Sequence, residues 1–320
     1  MALMEWNHSN GTGDFVMLGF SNLPEYEILL FWIFLAMHLV TLSGHLITVV
    51  VTLVDPTLYT PMYFFLHNLS SIEICYTLVI VPKMLTYFLA NSRKVSLPEC
   101  AVQMYFFIAL GTSECFLLAV MAYDRYVAIC NPLCYTIIMN RTLCLQLLVV
   151  VCATGFVLSL ALTALIFRLP FCGSHEINHF FCDIPPVLFL ACSDTHTDEI
   201  LVFVACLLAL LVPFLLILAS YVFIANAILR IQCSQGRKKA FSTCAAHLVV
   251  AVLHYGCAIF IYIRPKASYS LEQDKVVSLI YTNVTPMLYP MIYSLRNKEV
   301  KVAFKRVRGR KISFQKSVNF

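Results

Sequence analysis

Two charged residues stand side by side where a long apolar stretch ends: Asp124 and Arg125, within Met121-Ala122-Tyr123-Asp124-Arg125-Tyr126-Val127-Ala128-Ile129-Cys130. An acid and a guanidinium facing lipid are costly. At a membrane–water boundary they make sense, held by a partner or waiting for one. Three more ionisable residues, His45, Glu73 and Glu114, fall inside apolar segments. Two carboxylates in a dry interior repel if both are ionised, and a cation or a proton resolves the conflict. Such groups would also serve as a proton path in a transporter. Hydrolytic or phosphoryl-transfer chemistry is not indicated, because the chain has no HExxH, GxSxG or P-loop motif.

The elements that must hold these residues are membrane spans. The chain has 320 residues, 60% hydrophobic and 12% charged, against about 25% charged in soluble domains. A helix needs ~20 apolar residues to cross the hydrocarbon core, and seven segments qualify: 28–54, 58–87, 99–131, 143–167, 199–231, 239–263 and 275–294. Helices are expected because backbone polar groups in lipid must be satisfied internally, and no segment alternates as a barrel strand does. The fold class is therefore an all-α bundle of seven spans. The domains are an outer segment 1–27, the membrane bundle 28–295 and a cytosolic tail 296–320.

Basic residues set the orientation. Residues 1–27 contain no Lys or Arg, whereas nine follow the last span, and 15 of the 22 basic residues gather on one side, which reads as the cytosol. The net charge of +5 is an asymmetry of two faces. It implies contact with anionic lipid and not nucleic acid. Residues 1–27 lack a basic n-region followed by an apolar core, so the first span is expected to act as a signal anchor. Asn7 and Asn10 head glycosylation sequons on the outer side; the sequons at Asn68, Asn140 and Asn283 fall in membrane or cytosol and are discounted. Of 14 cysteines, Cys100, Cys172, Cys182 and Cys192 lie outside. An even number there suggests two disulfides, with three pairings open.

The run around Asp124 resembles the MAYDRYVAIC signature of olfactory receptors, a branch of the rhodopsin-like G-protein-coupled receptors. The resemblance reaches from the first span to residue 306. Pro61-Met62-Tyr63-Phe64-Phe65-Leu66 is similar to PMYFFL, and Lys239-Ala240-Phe241-Ser242-Thr243-Cys244 to KAFSTC. The stretch Pro286 to Asn297 resembles PMLNPxIYSLRN, and Tyr255-Gly256 resembles the end of FYG, with His254 in place of Phe. The outer loop and cytosolic motifs favour the tetrapod (class II) group. The resemblance implies pairing of Cys100 with Cys182 and of Cys172 with Cys192. A disulfided Cys182 offers no thiolate, so no metal is expected at His175, His179 and Cys182, and no cofactor is implied.

Carried over by position, the resemblance implies a ligand site between the outer halves of four helices. The third supplies Phe107, Ile108, Gly111 and Thr112, and the fifth Ala205, Cys206 and Ala209. The sixth supplies Tyr255, Ala258, Ile259 and Tyr262, and the seventh Ser278 and Thr282. The set is apolar with a few hydroxyls and no carboxylate, which suits a small, neutral, volatile odorant; helix packing is the competing role for each residue. Asp124, Arg125, Tyr126, Tyr221 and Tyr293 would serve activation and coupling to a stimulatory, olfactory-type G protein, raising cAMP. Residues 297–307 read as a short amphipathic helix on the inner leaflet.

The departures from the family pattern concentrate in one place. His45 stands where the family has Asn, Glu73 where it has Asp and Tyr289 where it has Asn. In the family these positions share a polar cavity with the acid at Glu114, a cavity that can hold sodium. One expectation is that a protonated His45 pairs with Glu73 and replaces the ion. The plainer one is a neutral His45 bonded to a carbonyl. Two other functions compete with the odorant receptor: a rhodopsin-like receptor for a non-volatile ligand, and a proton-coupled transporter, although no internal repeat or interrupted helix supports the latter.

Overall fold

The computed structural model describes residues 14–89, 93–172, 175–193, 195–230, 234–263, 271–292 and 299–307. Seven long helices form the bundle: α1 (Glu27–Val54), α2 (Pro61–Leu89), α3 (Leu97–Cys130), α4 (Arg141–Phe167), α5 (His196–Leu229), α6 (Ser234–Tyr262) and α7, which runs as Leu271–Leu279, a π-helical turn Ile280–Val284 and Thr285–Pro290. The first five are long and apolar enough to cross a membrane, and α6 adds a shorter apolar run, His247–Tyr262. A further helix, α8, covers 299–307.

Side-chain caps mark where several helices start. Ser96 and Glu99 form a capping box on α3, with the Ser96 N–H donating to Glu99 Oε2 at 3.0 Å. Asn140 accepts from the Leu143 N–H at 2.9 Å and caps α4, so this discounted sequon asparagine has a structural task. Two starts differ most from the hydropathy reading. The α6 helix is described from Ser234, not 239, and α7 from Leu271, not 275. Hydropathy marks lipid thickness, whereas a helix continues through charged residues such as Arg237 and Asp274 for as long as its backbone bonds are satisfied.

The α3 helix is the axis of the bundle, buried along most of its length and packed between α2, α4 and α5. The α4 helix approaches it closely at Gly155, which presents no side chain there. A Cβ on Gly155 would strike Ser113 Oγ and lie 2.5 Å from the Ala109 carbonyl oxygen. Gly155→Val is expected to cost about 1–3 kcal/mol or more by overpacking, read as lost surface expression and a lower Tm of the purified protein. Ser113→Ala should not rescue it, since the Ala109 carbonyl remains.

A small sheet caps the end that carries Cys100. Strand β1 (Phe15–Met17) lies between β2 (Lys94–Val95), antiparallel with Phe15 opposite Val95, and β3 (Glu176–Ile177), parallel with Val16 opposite Glu176. Phe20 then stacks on Phe34, Phe88 and Phe180, and Gly19 accepts from Lys275 Nζ at 3.0 Å. Gly19 takes φ 52°, a left-handed conformation open to glycine at little cost. Strands this short give no period-2 pattern, and the sequence did not announce them. At the opposite end α8 buries Val300 and Ala303, and Tyr63 donates to Glu299 at 2.6 Å.

Candidate functional site

A cavity opens between α3, α4, α5, α6 and α7 on the Cys100 side of the bundle. Eight residues expected at the ligand site line it: Phe107, Ile108, Gly111 and Thr112 from α3, Cys206 and Ala209 from α5, Ala258 and Tyr262 from α6. Five others do not. Ala205 and Ile259 are half-buried against the core. Tyr255 points to α3, donating to the Cys115 carbonyl at 2.7 Å. Thr282 Oγ1 folds back on the Ser278 carbonyl at 2.7 Å. Thr282 lies within the π-turn, and its neighbour Tyr281 lines the cavity instead.

Sequence reasoning also missed Cys115, Leu158, Leu162, Leu210 and Ile184. Helical spacing held a signal for Cys115, which follows Gly111 and Thr112 by one turn. The α4 leucines carried none. Ile184 comes from the outer loop, where several contacts pin the chain. Phe181 packs on Phe107 with ring centroids 4.7 Å apart. Cys182 is bonded to Cys100, Cα–Cα 5.4 Å, and its N–H donates to Gln103 at 3.0 Å. Asp183 caps the short helix Ile184–Leu188 and accepts from the Tyr262 hydroxyl at 2.8 and 3.0 Å. The second cysteine pair, Cys172 and Cys192, has Cα–Cα 5.8 Å. His179 stacks on Phe180, and burial holds its ring down to about 3, helped by the Lys275 charge.

Burial pushes the Asp183 carboxyl up to about 7; Asp274 adds to this, while the Tyr262 hydroxyl and Ile184 N–H oppose it. The folded loop therefore holds a proton that the unfolded chain releases near 3.8. Stability should fall as pH rises from about 4 to about 7 and level off above. Asp183→Asn, which cannot ionise, should flatten that part of the profile of Tm against pH; an unchanged slope would show that Asp183 does not titrate there.

Beneath the cavity lies a buried polar cluster. Glu114 from α3 meets His254 Nδ1 from α6 at 2.8 Å and accepts from the Tyr289 hydroxyl of α7. Tyr289 also lies 3.0 Å from His254 Nδ1, and His254 Nε2 faces Cys115 Sγ at 3.2 Å. Glu73 presents its carboxyl to that of Glu114. Of the two expectations for His45, the pairing with Glu73 is not present and the carbonyl contact is. His45 Nε2 instead meets the Pro286 carbonyl at 2.9 Å, and both Glu73 oxygens and His45 Nδ1 lack a hydrogen-bond partner. Gly44 brings α1 so close to Pro290 that its neighbour His45 reaches the α7 backbone first. The imidazole beside the acid pair is that of His254.

At the other end of α3, Asp124 accepts from Arg125 at 2.9 Å and from the Tyr135 hydroxyl at 2.8 Å. Asp124 is 1% exposed. Tyr126 packs on Phe223 of α5, and Tyr221 reaches His247 Nδ1 of α6 at 2.7 Å. Tyr135 and His247 were missed: neither falls in a motif, and only the fold brings them to this cluster. Asn7, Asn10 and Tyr293 lie outside the described residues.

Comparison with known proteins gives a consistent result. Residues 34–311 match the family model described as olfactory receptor. Human Olfactory receptor 10Q1 is 52% identical over 94% of each chain. Human Olfactory receptor 10Z1 is 52% identical over 93% of this chain and 95% of its own, and human Olfactory receptor 10A7 is 52% identical over 96% of each.

Proposed function

The chain belongs to the olfactory receptor family, and we propose that it binds a small, neutral, mostly apolar odorant in the cavity under Ile184 and couples it to a stimulatory, olfactory-type G protein. The family is one of receptors, not enzymes, and the chain is a multi-pass membrane protein with an odorant-receptor role. The observation that carries the finer reading is the cavity lining. All 14 of its residues are uncharged, so a ligand gains affinity from burial and dispersion, with Thr112, Tyr262 and Tyr281 as the hydroxyls that orient it. A cationic amine would find no counter-ion on that lining.

In this reading the receptor sits in the plasma membrane with the Asp124 end in the cytosol. There Asp124, itself bonded by the Tyr135 hydroxyl, holds Arg125 in the resting state. Odorant binding shifts a pre-existing equilibrium toward a state in which Arg125 leaves Asp124 and meets the G protein, with Tyr126, Tyr221 and Tyr293 supporting the open face. The α8 helix and the basic tail rest on inner-leaflet lipid.

The test is cAMP in cells co-expressing an olfactory G protein, across a panel of volatile odorants, with Arg125→Ala beside the wild type at matched surface expression. A response lost in Arg125→Ala is expected. An odorant response retained by that variant, or substrate uptake in place of cAMP, would overturn the coupling scheme.

A further inference from the structure

We propose that Cys115 is a nucleophilic thiol at the floor of the cavity, and that with His254 it captures electrophilic odorants, the α,β-unsaturated aldehydes and ketones, as reversible covalent adducts. The proposal rests on the reading of this cavity as the odorant site. It adds a chemical class of ligand and a mode of holding it.

Three side chains stand in line. Cys115 lines the cavity and lies 3.2 Å from His254 Nε2. His254 Nδ1 lies 2.8 Å from Glu114, which also accepts from Tyr289. A nucleophile, a base within hydrogen-bonding reach and a third group that orients the base is the arrangement that activates weak nucleophiles. Glu114 orients the imidazole through Nδ1, which aims Nε2 at the sulfur for proton exchange. The three side chains are almost fully buried, so water does not compete for the thiol. Cys206 also lines the cavity, but among the described residues no imidazole hydrogen-bonds to it. One of the two cavity cysteines is thus activated and the other is not.

The step balances without a cofactor. His254 Nε2 takes the Cys115 proton, and the sulfur lone pair forms a C–S bond to the β-carbon of the enal. The C=C π pair moves toward the carbonyl to give an enolate. The imidazolium then returns the proton to the α-carbon. The sum is thiol plus enal to thioether, and loss of the α-proton reverses it. The Tyr281 hydroxyl lies against Gly111, one helical turn along α3 from Cys115, where it can donate to the oxygen as enolate charge develops.

The experiment uses the purified full-length receptor in detergent, treated with crotonaldehyde or with its saturated counterpart butanal. Borohydride fixes any adduct, and peptide mass spectrometry locates it. Crotonaldehyde should label Cys115 ahead of Cys206, and butanal should label neither as a thioether. Labelling of Cys115 should be roughly a hundredfold slower in His254→Phe, the low end of what a positioned base contributes. Equal labelling of Cys115 and Cys206, or an unchanged rate in His254→Phe, would overturn the proposal. If His254→Phe is not recovered folded, the ratio of Cys115 to Cys206 labelling in native wild type is compared with that of the unfolded chain; equal ratios overturn it as well. Labelling needs no signalling, so a labelled but silent receptor counts against the coupling scheme alone, and an unlabelled receptor that answers other odorants counts against Cys115 alone.

Discussion

Glu114→Ala is expected to leave little folded receptor at the cell surface. The variant removes the carboxyl that His254 Nδ1 and the Tyr289 hydroxyl both meet, in a site where all three residues are at most 2% exposed. Removing one member of a buried pair costs about 3–5 kcal/mol, because it leaves the other uncompensated in the interior. That is a large part of an ordinary stability of about 5–15 kcal/mol. Glu114→Gln should be milder, since an amide still offers an acceptor to Tyr289 and to the imidazole. The sharper measurement is a cycle of Tm values for Glu114→Gln, His254→Phe and the double variant. If the two residues act as one unit, the double variant loses about 0.5–3 kcal/mol less than the two single losses combined. Strict additivity would show that the α3 to α6 link contributes nothing as a pair.

The same cluster shows where sequence reasoning succeeds and where it stops. Departures from a family pattern can be read one residue at a time, and His45, Glu73, His254 and Tyr289 all stood out in that way. Which histidine meets Glu114 cannot be read so. Two histidines in different spans were available, and helix rotation and separation choose between them. Gly44 lets α1 approach Pro290, which turns His45 to the Pro286 carbonyl and leaves the acid to His254. In α7, Tyr281 of the π-turn Ile280–Val284 lines the cavity where Ser278 and Thr282 were expected. The seven spans were legible because lipid demands long apolar runs, and the Asp124–Arg125 pair because charge at a helix end is rare in such runs. Tyr135, His247 and the three-stranded cap were not legible, since they act only through neighbours brought from elsewhere in the chain.

Cys182→Ser is the other substitution with a large expected effect, and it should differ in kind from Cys172→Ser. The Cys100–Cys182 bond spans 82 residues, and the Cys172–Cys192 bond spans 20. In the chain-entropy picture the longer closure stabilises more, and loss of either typically costs about 2–5 kcal/mol. A membrane protein keeps its spans inserted when the outer loop opens, so loop entropy is only part of the difference. Position supplies the rest. Cys182 sits between Phe181, packed on Phe107 of the cavity wall, and Asp183, bonded to Tyr262; Ile184 follows and lines the cavity. Opening the Cys100 bond frees all four residues and admits water to the odorant site. Cys172 is exposed beside the isolated bridge of Phe171 with Ala191, away from the lining. Cys182→Ser should therefore lower Tm and surface expression, and in the receptor that remains raise the odorant concentration for half-maximal cAMP by tenfold or more, which corresponds to about 1.4 kcal/mol of lost binding. Cys172→Ser should lower Tm with little change in that concentration. Equal losses of odorant sensitivity in the two variants would mean that the outer loop responds as one body and that Ile184 has no separate role in closing the cavity.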